Sequence, residues 1–447
     1  MNLILLSGGS GRRLWPLSND VRSKQFLKIL RGEDGKHESM VQRMYRMVKE
    51  IDPDCSITFA TSESQVDSIR NQLSMDVGIS VEPCRRDTFP AIVLAASYLE
   101  DKAGVSPDES VVVCPIDPYV NRDYFEALQK LSILADEGGS NLFLLGMEPS
   151  CPSRKFGYII PENKDDVSPV TSFKEKPDTQ TAEKYIEQGA LWNGGVFALK
   201  LGYLLDKAHE LIDFKDHDDL LSVYEGLTKI SFDYAVVEKE KDIRVLRFKG
   251  QWKDLGTWNT LTEAMSDEVS GNAIAAKCTN THVINELQIP LVALGVKDLA
   301  IAATPDGILI TDKESSDQLK DYVADSRPMY EERGWGEYKV LEYIKNEDDR
   351  NALTKHLIIK AGQHISYQKH AHRAEMWTVT DGSGTLILDG KVIEVERGSH
   401  AYITPGTKHG IKAGEKPLHI IEVQIGDELT EDDIERLEFD WDGFKEI

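Results

Sequence analysis

Short apolar runs occur throughout the first 260 residues, and they alternate with stretches that have a helical period. Residues 39–51 and 90–104 predict helices by this period. Four continuous apolar runs predict buried strands: LILLS (3–7), ITFAT (57–61), SVVVCPID (110–117) and NLFLLGM (141–147). Buried apolar strands that alternate with helices are typical of a parallel sheet covered on both faces. The pattern therefore predicts an α/β domain with a mostly parallel sheet over residues 1–264.

The pattern changes after about residue 265. Residues 265–326 read as a β-rich connecting segment of short strands and polar turns, closed by a short amphipathic helix. A polar stretch with Pro and Gly at residues 325–336 marks a boundary. Short strands separated by turns such as DGSG and LDGK fill residues 327–447 and predict a small all-β sandwich or barrel.

Composition narrows the class of partners. The chain has 447 residues and a formal net charge of -24, which argues against general nucleic-acid binding, although a local basic pocket can still hold an anion. The five cysteines are scattered without CxxC spacing, so neither a disulfide framework nor a thiolate metal site is expected. The N-terminus has no basic region before its apolar run, and no apolar stretch has membrane-spanning length. We expect a cytoplasmic protein that binds neither nucleic acid nor membrane.

The segment LLSGGSGRRLWPLSNDVRSKQF, residues 5–26, carries the first candidate chemistry. Gly8, Gly9 and Gly11 directly follow a predicted strand, and glycine lets backbone N–H groups approach an anion closely. Arg13 and Lys24 add positive charge suited to phosphate oxygens. For the glycine pair alone, an ordinary turn with solvated arginines is the better interpretation. The whole run favours a polyphosphate site, without the Walker spacing or a complete GxGxxG.

This run resembles the signature loop of the sugar-1-phosphate nucleotidyltransferases, and most closely that of the mannose-1-phosphate guanylyltransferases. Further segments resemble the family in the same order: EPCRRDTFPAI (82–92), CPIDPYV (114–120), FGYI (156–159), FKEKPD (173–178), LWNGGVFALK (191–200), FDYAVVEK (232–239) and WKDLGTW (252–258). Two segments depart from the family, which more often has RNTAPAI and PSDH where this chain has RRDTFPAI and PIDPY. The first departure leaves the choice of base open.

The resemblance implies a Rossmann-like nucleotidyltransferase domain and a role for each matching residue. It implies nucleotide binding by Leu6, Gly8, Gly9, Gly11, Arg86 and Asp87. It implies neutralisation of the triphosphate by Arg13 and Lys24. It implies a sugar-phosphate pocket formed by Gly157, Glu175, Lys176 and Asn193. Asp117 and Asp254 match the two acidic positions that hold Mg²⁺ in the family. The implied catalytic residues are Arg13, Lys24, Asp117 and Asp254.

The physical chemistry of these residues agrees with the implied reaction. Asp117 follows the end of a predicted strand, where open α/β sheets bind ligands. Carboxylate oxygens suit Mg²⁺, which combines one or two of them with phosphate oxygens. The implied reaction is a direct in-line attack by mannose 1-phosphate on the α-phosphorus of GTP, which gives GDP-mannose and pyrophosphate. To catalyse this reaction, the protein mainly has to align the two substrates and neutralise the charge of the phosphates.

Seven of the eleven histidines lie in the last 92 residues, which raises the question of a metal site. The segment GQHISYQKHAHRAEMWTVTDG resembles the first cupin motif, with Gln368 in place of its first histidine. GSHAYITPGTKHGI resembles the second motif and supplies His409. On a strand, Gln368, His370 and His372 share one face, whereas Glu375 needs a turn or bulge to join them. A nitrogen and oxygen ligand set of this kind suits Zn²⁺ and leaves positions open.

The local sequence of this tail further resembles the type II mannose-6-phosphate isomerases, which are often fused behind a guanylyltransferase. The resemblance implies interconversion of mannose 6-phosphate and fructose 6-phosphate, assisted by Zn²⁺ or another divalent metal. The implied ligands are Gln368, His370, Glu375 and His409. His372 and Arg373 are second choices for the proton-transferring base or a phosphate contact.

Three alternatives stay open in the sequence. The head could transfer another nucleotide to another sugar, with a structural and inactive cupin domain behind it. It could also be a nucleotide-sensing protein with a dead site, although retention of Arg13, Lys24, Asp117, Lys176 and Asp254 argues against that. A metal-free cupin could serve only folding or dimerisation, and a homodimer is one assembly that the sequence leaves open.

Overall fold

The computed structural model describes residues 1–8, 11–19, 21–73, 77–323, 327–347, 350–438 and 441. The chain divides into two compact units. The first comprises Met1–Leu14, Ser23–Glu268 and Lys313–Lys320, and the second comprises Trp15–Arg22, Val269–Asp312 and Asp321–Ile447. Within the part of the chain that the structure describes, none of the helices combines the length and apolar character that crossing a bilayer requires.

The first unit is an α/β domain, as the alternation of apolar runs predicts. Its strands are β1 (Asn2–Leu6), β2 (Leu30–Arg31), β3 (His37–Glu38), β4 (Ser56–Ser62), β5 (Gly78–Glu82), β6 (Ser110–Pro115), β7 (Pro118–Val120), β8 (Leu142–Met147), β9 (Gly157–Pro161), β10 (Val167–Lys174), β11 (Leu191–Lys200), β12 (Ile243–Phe248) and β13 (Trp252–Asp254). Its helices are α1 (Met40–Ile51), α2 (Glu63–Gln72), α3 (Thr88–Asp101), α4 (Arg122–Glu137), α5 (Thr179–Glu187), α6 (Leu201–His209), α7 (His217–Val223) and α8 (Trp258–Ala264). Single turns of 3-10 or π-helix cover Gly11–Leu14, Lys24–Phe26, Tyr224–Gly226 and Asp233–Val237.

The main sheet of this unit has the order β5-β4-β1-β6-β11-β8-β12-β10-β9. Strands β5, β4, β1 and β6 are parallel, as the buried apolar runs predict, and so are β8 and β12. Strand β11 runs antiparallel between β6 and β8. Strands β9 and β10 are antiparallel neighbours, because a connection as short as theirs can form only a hairpin.

Helices cover both faces of this sheet, and strand β1 shows why its residues are apolar throughout. Side chains alternate across a strand, so Leu3 and Leu5 enter the core on one face while Ile4 enters the core on the other. All three are fully buried. The continuous apolar run therefore fixes β1 at the centre of two cores.

Helix α1 begins with a capping box, in which the side chains of Ser39 and Gln42 each form a hydrogen bond with the backbone of the other residue.

The second unit begins, in chain order after Trp15–Arg22, with a run of short strands. These are β14 (Val269–Gly271), β15 (Ala273–Ala276), β16 (His282–Asn285), β17 (Leu291–Leu294), β18 (Leu299–Thr304) and β19 (Gly307–Asp312). The 3-10 segment Ser315–Asp321 follows β19 and belongs, up to Lys320, to the first unit, whereas the 3-10 turn Glu431–Asp433 belongs to the second. Arg22 donates two hydrogen bonds to the Glu286 carboxylate, at 2.8 and 2.9 Å. This contact holds the middle of the glycine-loop segment to the strands of the second unit.

The C-terminal part of the second unit is all-β, as predicted. Its strands are β20 (Tyr330–Arg333), β21 (Gly336–Ile344), β22 (Asn351–Ile359), β23 (Gln368–His370), β24 (Arg373–Asp381), β25 (Ser383–Leu388), β26 (Lys391–Glu396), β27 (His400–Ile403), β28 (His409–Ala413), β29 (Leu418–Gly426) and β30 (Ile434–Arg436). They form two sheets, β20-β21-β22-β29-β24-β27 and β26-β25-β28-β23-β30. In β24, Arg373, Glu375, Trp377 and Val379 are buried. The alternation sends charged residues into the interior, where a metal site was predicted.

Candidate active sites

A cavity of about 700 Å³ lies at the carboxyl ends of β1, β4 and β5. Open α/β sheets place their ligands at this edge. The cavity is lined by Leu6, Gly8, Arg13, Ala60, Glu82, Arg85, Asp87, Thr88, Ala91 and Lys229. Four of the residues predicted to bind nucleotide or triphosphate are in this set: Leu6, Gly8, Arg13 and Asp87. Three basic side chains face the cavity, which suits a polyanion.

The other predicted nucleotide residues have different positions. Gly9 lies outside the described residues, and Gly11 begins the 3-10 turn Gly11–Leu14. Arg86 donates a hydrogen bond from its guanidinium to the Glu225 carbonyl oxygen, and Arg85 is the arginine that lines the cavity. The two neighbouring arginines of RRDTFPAI thus have separate tasks.

Asp87 caps the helix that follows the two arginines. It has a left-handed backbone with φ 70°. Its carboxylate accepts a hydrogen bond from the N–H of Thr88, the first residue of α3. Residues other than glycine rarely adopt this backbone, which is typical of strained functional segments. The turn brings Asp87 and Thr88 to the cavity wall.

Glu82 lines the same cavity, although it was not among the residues predicted to bind nucleotide. It is the last residue of β5, and its Oε2 accepts a hydrogen bond from the Tyr224 hydroxyl at 2.8 Å. Its Oε1 lies near the glycine loop, since a Cβ added to Gly8 would stand 3.8 Å from it. Burial raises the pKa of Glu82, and the Tyr224 hydrogen bond opposes that rise. The signal for this residue was its place as the first residue of the family-like segment EPCRRDTFPAI (82–92), since the strand that ends at Glu82 was not predicted.

The two predicted magnesium ligands are brought together by a two-stranded ribbon. Strands β7 and β13 pair antiparallel, with Asp254 opposite Pro118, so Asp254 stands beside Asp117. Lys24 Nζ lies 2.8 Å from Asp117 Oδ2 and 3.4 Å from Asp254 Oδ1. Burial would lower the pKa of Lys24, but the two carboxylates outweigh it and raise the pKa. Lys24 therefore stays charged between two acids that are 137 positions apart in the chain.

A second, smaller cavity of about 190 Å³ adjoins these carboxylates. It is lined by Pro115, Asp117, Pro118, Phe156, Asn193, Gly194, Trp252 and Asp254. Pro115 at the end of β6 lies opposite Leu6 at the end of β1, and Leu6 lines the larger cavity. The two cavities thus open from adjacent strands, with the Asp117–Asp254 pair in the wall of the smaller one.

The remaining predicted sugar-phosphate residues lie close to Asn193. Lys176 Nζ donates to Glu175 Oε1 at 2.6 Å, and Lys176 has a left-handed backbone with φ 45°. A Cβ at position 157 would stand 2.4 Å from Glu175 Oε2 and 2.9 Å from Phe173 Cζ, so glycine leaves room for both side chains. The Glu175 side chain is only 8% exposed, and Lys176 pairs with its carboxylate.

The predicted cupin ligands also come together. His370, Glu375 and His409 each offer one ligand atom within 4.8 Å of the others, and all three are buried. His370 Nε2 lies 3.1 Å from Glu375 Oε1, and His409 Nε2 lies 3.5 Å from Glu375 Oε2. Gln368 Nε2 lies 3.5 Å from His370 Nε2. Among the described residues, this is the one group of three or more His, Cys, Asp or Glu side chains with such geometry.

The donor atoms of this cluster fit a metal ion. The buried His409 Nε2 has no polar neighbour closer than Glu375 Oε2 at 3.5 Å, and an unpaired buried nitrogen is costly unless something binds it. The His370 nitrogen that faces Glu375 is Nε2, whereas its Nδ1 is buried without a hydrogen-bond partner. Burial would raise the pKa of Glu375, but His370 and His409 outweigh it and hold the pKa well below its usual range. A carboxylate beside imidazole nitrogens is a set that binds Zn²⁺ and similar ions.

The two second-choice residues of the cupin site differ in burial. Arg373 is 2% exposed, and its Nε donates to Glu375 Oε1 at 2.9 Å. His372 is exposed, and its Nδ1 lies 3.4 Å from Asp427 Oδ1. Arg373 therefore belongs to the buried cluster. The prediction that His372 shares the face of Gln368 and His370 was wrong, because β23 ends at His370 and His372 lies exposed in the turn before β24.

A further set of buried polar residues, which the sequence analysis missed, lies behind Glu375. Trp377 Nε1 donates to Glu375 Oε2 at 3.1 Å and to Glu422 Oε1 at 3.0 Å. Lys355 Nζ lies 4.0 Å from Glu422 Oε2 and 3.0 Å from Glu431 Oε1. Burial, followed by the charge of Glu375, raises the pKa of Glu422 to about 8. Lys355 and Glu422 lie at inward-facing positions of β22 and β29, and no local sequence motif predicts that their charges are buried.

Comparison with known proteins matches both parts of the chain. A nucleotidyl transferase family model matches residues 2–271, and a mannose-6-phosphate isomerase C-terminal model matches residues 323–439. The xanthan biosynthesis protein XanB of Xanthomonas campestris pv. campestris (strain B100) is 31% identical, with 97% of each chain covered. A mannose-1-phosphate guanylyltransferase of Escherichia coli (strain K12) is 30% identical, again with 97% of each chain covered.

Among solved structures, one titled mannose-1-phosphate geranyltransferase, from Thermus thermophilus, is similar, with a TM-score of 0.59 and 28% identity. The match covers 72% of this chain and 97% of that chain. The fold, the two cavities and these matches define a sugar-phosphate nucleotidyltransferase with a cupin domain behind it. The chain belongs to the nucleotidyl transferase family, in the group of mannose-1-phosphate guanylyltransferases that carry a C-terminal mannose-6-phosphate isomerase domain.

Proposed function

We propose that the chain transfers GMP from GTP to α-D-mannose 1-phosphate and releases pyrophosphate. The observation that carries this proposal is the group of Lys24, Asp117 and Asp254 beside two cavities that open from adjacent strands. The larger cavity, with its basic lining, takes the nucleotide, and the smaller one takes the sugar phosphate. The names of the relatives support the choice of mannose and guanine.

The residues act mainly by alignment and charge neutralisation. Arg13 and Lys24 neutralise phosphate oxygens of the nucleotide, while Asn193, Glu175 and Lys176 hold the sugar phosphate for direct attack on the α-phosphorus. The two acids, Asp117 and Asp254, suit a magnesium ion by their charge and their oxygen donors. When bound, Mg²⁺ supplies charge compensation for the transferring phosphoryl group.

Glu82 supports guanine as the base. An ionised carboxylate only accepts hydrogen bonds, and the Watson–Crick edge of guanine offers two adjacent donors, N1–H and N2–H. Uracil and thymine instead present oxygen acceptors on both sides of one N–H, which a carboxylate repels. The Tyr224 hydroxyl holds the carboxylate at the cavity wall. We therefore assign the reading of guanine to Glu82.

A coupled pyrophosphate assay over a grid of nucleotides and sugar phosphates tests this function. We expect the largest kcat/KM for the pair of GTP and mannose 1-phosphate, with dependence on added Mg²⁺. A larger value for UTP or dTTP with glucose 1-phosphate would instead support the other substrate specificity. Tight nucleotide binding with no turnover in any combination would support a nucleotide sensor.

Replacing Glu82 by Gln tests the assignment of the base. We expect kcat/KM for GTP to fall about 10- to 100-fold, because one hydrogen bond to a charged group is lost and a repelling N–H replaces it. The values for UTP and dTTP should stay or rise. Tyr224→Phe, which only frees the carboxylate, should show a smaller loss. An unchanged ratio of GTP to UTP in Glu82→Gln would refute the assignment.

For the cupin domain we propose interconversion of mannose 6-phosphate and fructose 6-phosphate. The ligand atoms of His370, Glu375 and His409, which lie within 4.8 Å of one another, support a bound divalent metal. Gln368 would be the fourth ligand through its Oε1, which accepts a hydrogen bond from Ser366 Oγ in the structure, so its amide group would have to turn. Zn²⁺ at this position would polarise the sugar oxygens. Arg373 holds Glu375 in place through a hydrogen bond of 2.9 Å.

A further inference from the structure

The Asp233 carboxyl group lies among three residues predicted to bind the sugar phosphate. Asp233 is part of the family-like segment FDYAVVEK (232–239), but no role was predicted for it. Its Oδ1 accepts a hydrogen bond from Asn193 Nδ2 at 2.6 Å. It is close enough to Glu175 and Lys176 for the charges of both to shift its pKa. Asp233 also begins the one-turn π-helix Asp233–Val237. Such single π-turns occur frequently at functional sites.

The Asn193 side chain is held at both of its ends. Its Oδ1 accepts a hydrogen bond from the Gly195 N–H at 3.0 Å, while its Nδ2 donates to Asp233. These two bonds fix which end of the amide is oxygen and which is nitrogen, a choice that a lone asparagine leaves free. One amide hydrogen and one lone pair stay available. Asn193 lines the smaller cavity beside Asp117 and Asp254.

We propose that Asp233 is a positioning residue for the sugar 1-phosphate: it orients Asn193, so that the second amide hydrogen of Asn193 is directed at a sugar hydroxyl. The inference rests on the proposed function of this cavity and deepens it. Asp233 acts through Asn193, and the nucleotide in the larger cavity does not depend on it.

The charge of Asp233 gives this role a pH dependence. Burial, followed by the negative charge of Glu175, raises the pKa of Asp233 to about 6, against the hydrogen bond from Asn193 and the positive charge of Lys176. Above pH 6 the carboxylate is ionised and accepts strongly from Asn193. Below pH 6 it is protonated and accepts more weakly, since hydrogen bonds to charged acceptors are the stronger kind. The affinity for the sugar phosphate should therefore decline on acidification.

The test compares Asp233→Ala and Asp233→Asn with the wild-type enzyme in steady-state kinetics. We expect Asp233→Ala to raise KM for the sugar 1-phosphate about tenfold or more, with KM for GTP unchanged. Asp233→Asn should lie between the two, because its carboxamide oxygen still accepts from Asn193 without charge. Between pH 7.5 and 5.5 the phosphate of the substrate itself titrates, with a second pKa of about 6, and this affects every variant equally. KM for the sugar phosphate should therefore rise more steeply on acidification in the wild-type enzyme than in Asp233→Asn.

Asp136→Asn is the matched control, because Asp136 pairs with Lys200 and lines neither cavity. Thermal melts of all variants exclude loss of folding, and Asp233→Asn keeps the test valid where Asp233→Ala does not fold. Equal changes in both KM values, or a wild-type pH profile in Asp233→Asn, would overturn the inference. The sugar phosphate used is the one that the wild-type chain turns over fastest. A wrong assignment of mannose then shows in the wild-type enzyme, and failure of this inference shows only in the variants.

Discussion

Asp254→Asn is expected to reduce pyrophosphate release from GTP and mannose 1-phosphate by about 100- to 1,000-fold. Asp254 lies beside Asp117 on the β7–β13 ribbon, and both carboxylates contact Lys24. The substitution keeps the shape of the side chain and removes its charge. Charge compensation of the transferring phosphoryl group is the main task of this site, so the loss should fall on kcat. Single-turnover release of pyrophosphate at saturating substrates measures it.

Asp178→Asn serves as the matched control for this variant. Asp178 caps α5 by accepting a hydrogen bond from Thr181 N–H, and asparagine caps a helix about as well as aspartate. We therefore expect wild-type turnover and stability from it. Isomerase turnover by the cupin domain should be unchanged in both variants. Retention of more than a tenth of the wild-type kcat in Asp254→Asn would refute the proposed role of the acid pair.

The fold of the first unit was predictable because its strands are buried on both faces. Continuous apolar runs such as LILLS cannot serve a sheet with one wet face, so they indicated parallel strands covered by helices. The antiparallel position of β11 was not predictable, because one antiparallel strand inside a sheet covered on both faces is as apolar as its parallel neighbours. The segment Trp15–Arg22 contacts Glu286, Thr304 and Asp306 of the second unit, which are far away in the sequence, and no local pattern encodes such contacts.

The acid pair shows which features of the site the sequence motifs predict and which they do not. Resemblance to the family predicted that Asp117 and Asp254 act together, and the ribbon of β7 and β13 supplies the physical reason. Lys24 was predicted to neutralise the triphosphate, and the structure has it in ion pairs with both acids. The sequence missed Glu82 and Asp233, because their roles come from partners such as Tyr224 and Asn193, which only tertiary packing brings near.

The cupin cluster was predictable in part from strand geometry. Gln368 and His370 share one face of β23, and the turn that Glu375 was expected to need lies between the end of β23 and the start of β24. The burial of Lys355 and Glu422 behind the cluster was not predictable, because a charged residue in a strand is normally expected to face the solvent. Their burial indicates a polar interior, which suits a charged sugar phosphate better than a purely structural barrel.

Glu375→Gln is expected to reduce isomerase turnover by at least about a hundredfold and to lower the zinc content of the purified protein. Glu375 lies within hydrogen-bonding reach of His370 and Arg373, at 3.1 and 2.9 Å, and at 3.5 Å from His409, so a neutral amide there would weaken the whole cluster. Metal content by mass spectrometry and the turnover of mannose 6-phosphate measure the two effects. In the wild-type enzyme, chelation should abolish isomerase turnover and added Zn²⁺ should restore it.

His400→Gln is the matched control, because His400 is an exposed histidine at the start of β27 and was not predicted as a ligand. It should keep both its zinc and its activity. Nucleotidyl transfer, measured on the same Glu375→Gln sample, should equal that of the wild-type enzyme, because the acid pair of the first unit is intact. Full isomerase turnover in chelated, zinc-free protein would refute the metal proposal. Bound zinc without isomerase turnover in the wild-type enzyme would instead indicate a cupin whose metal serves structure alone.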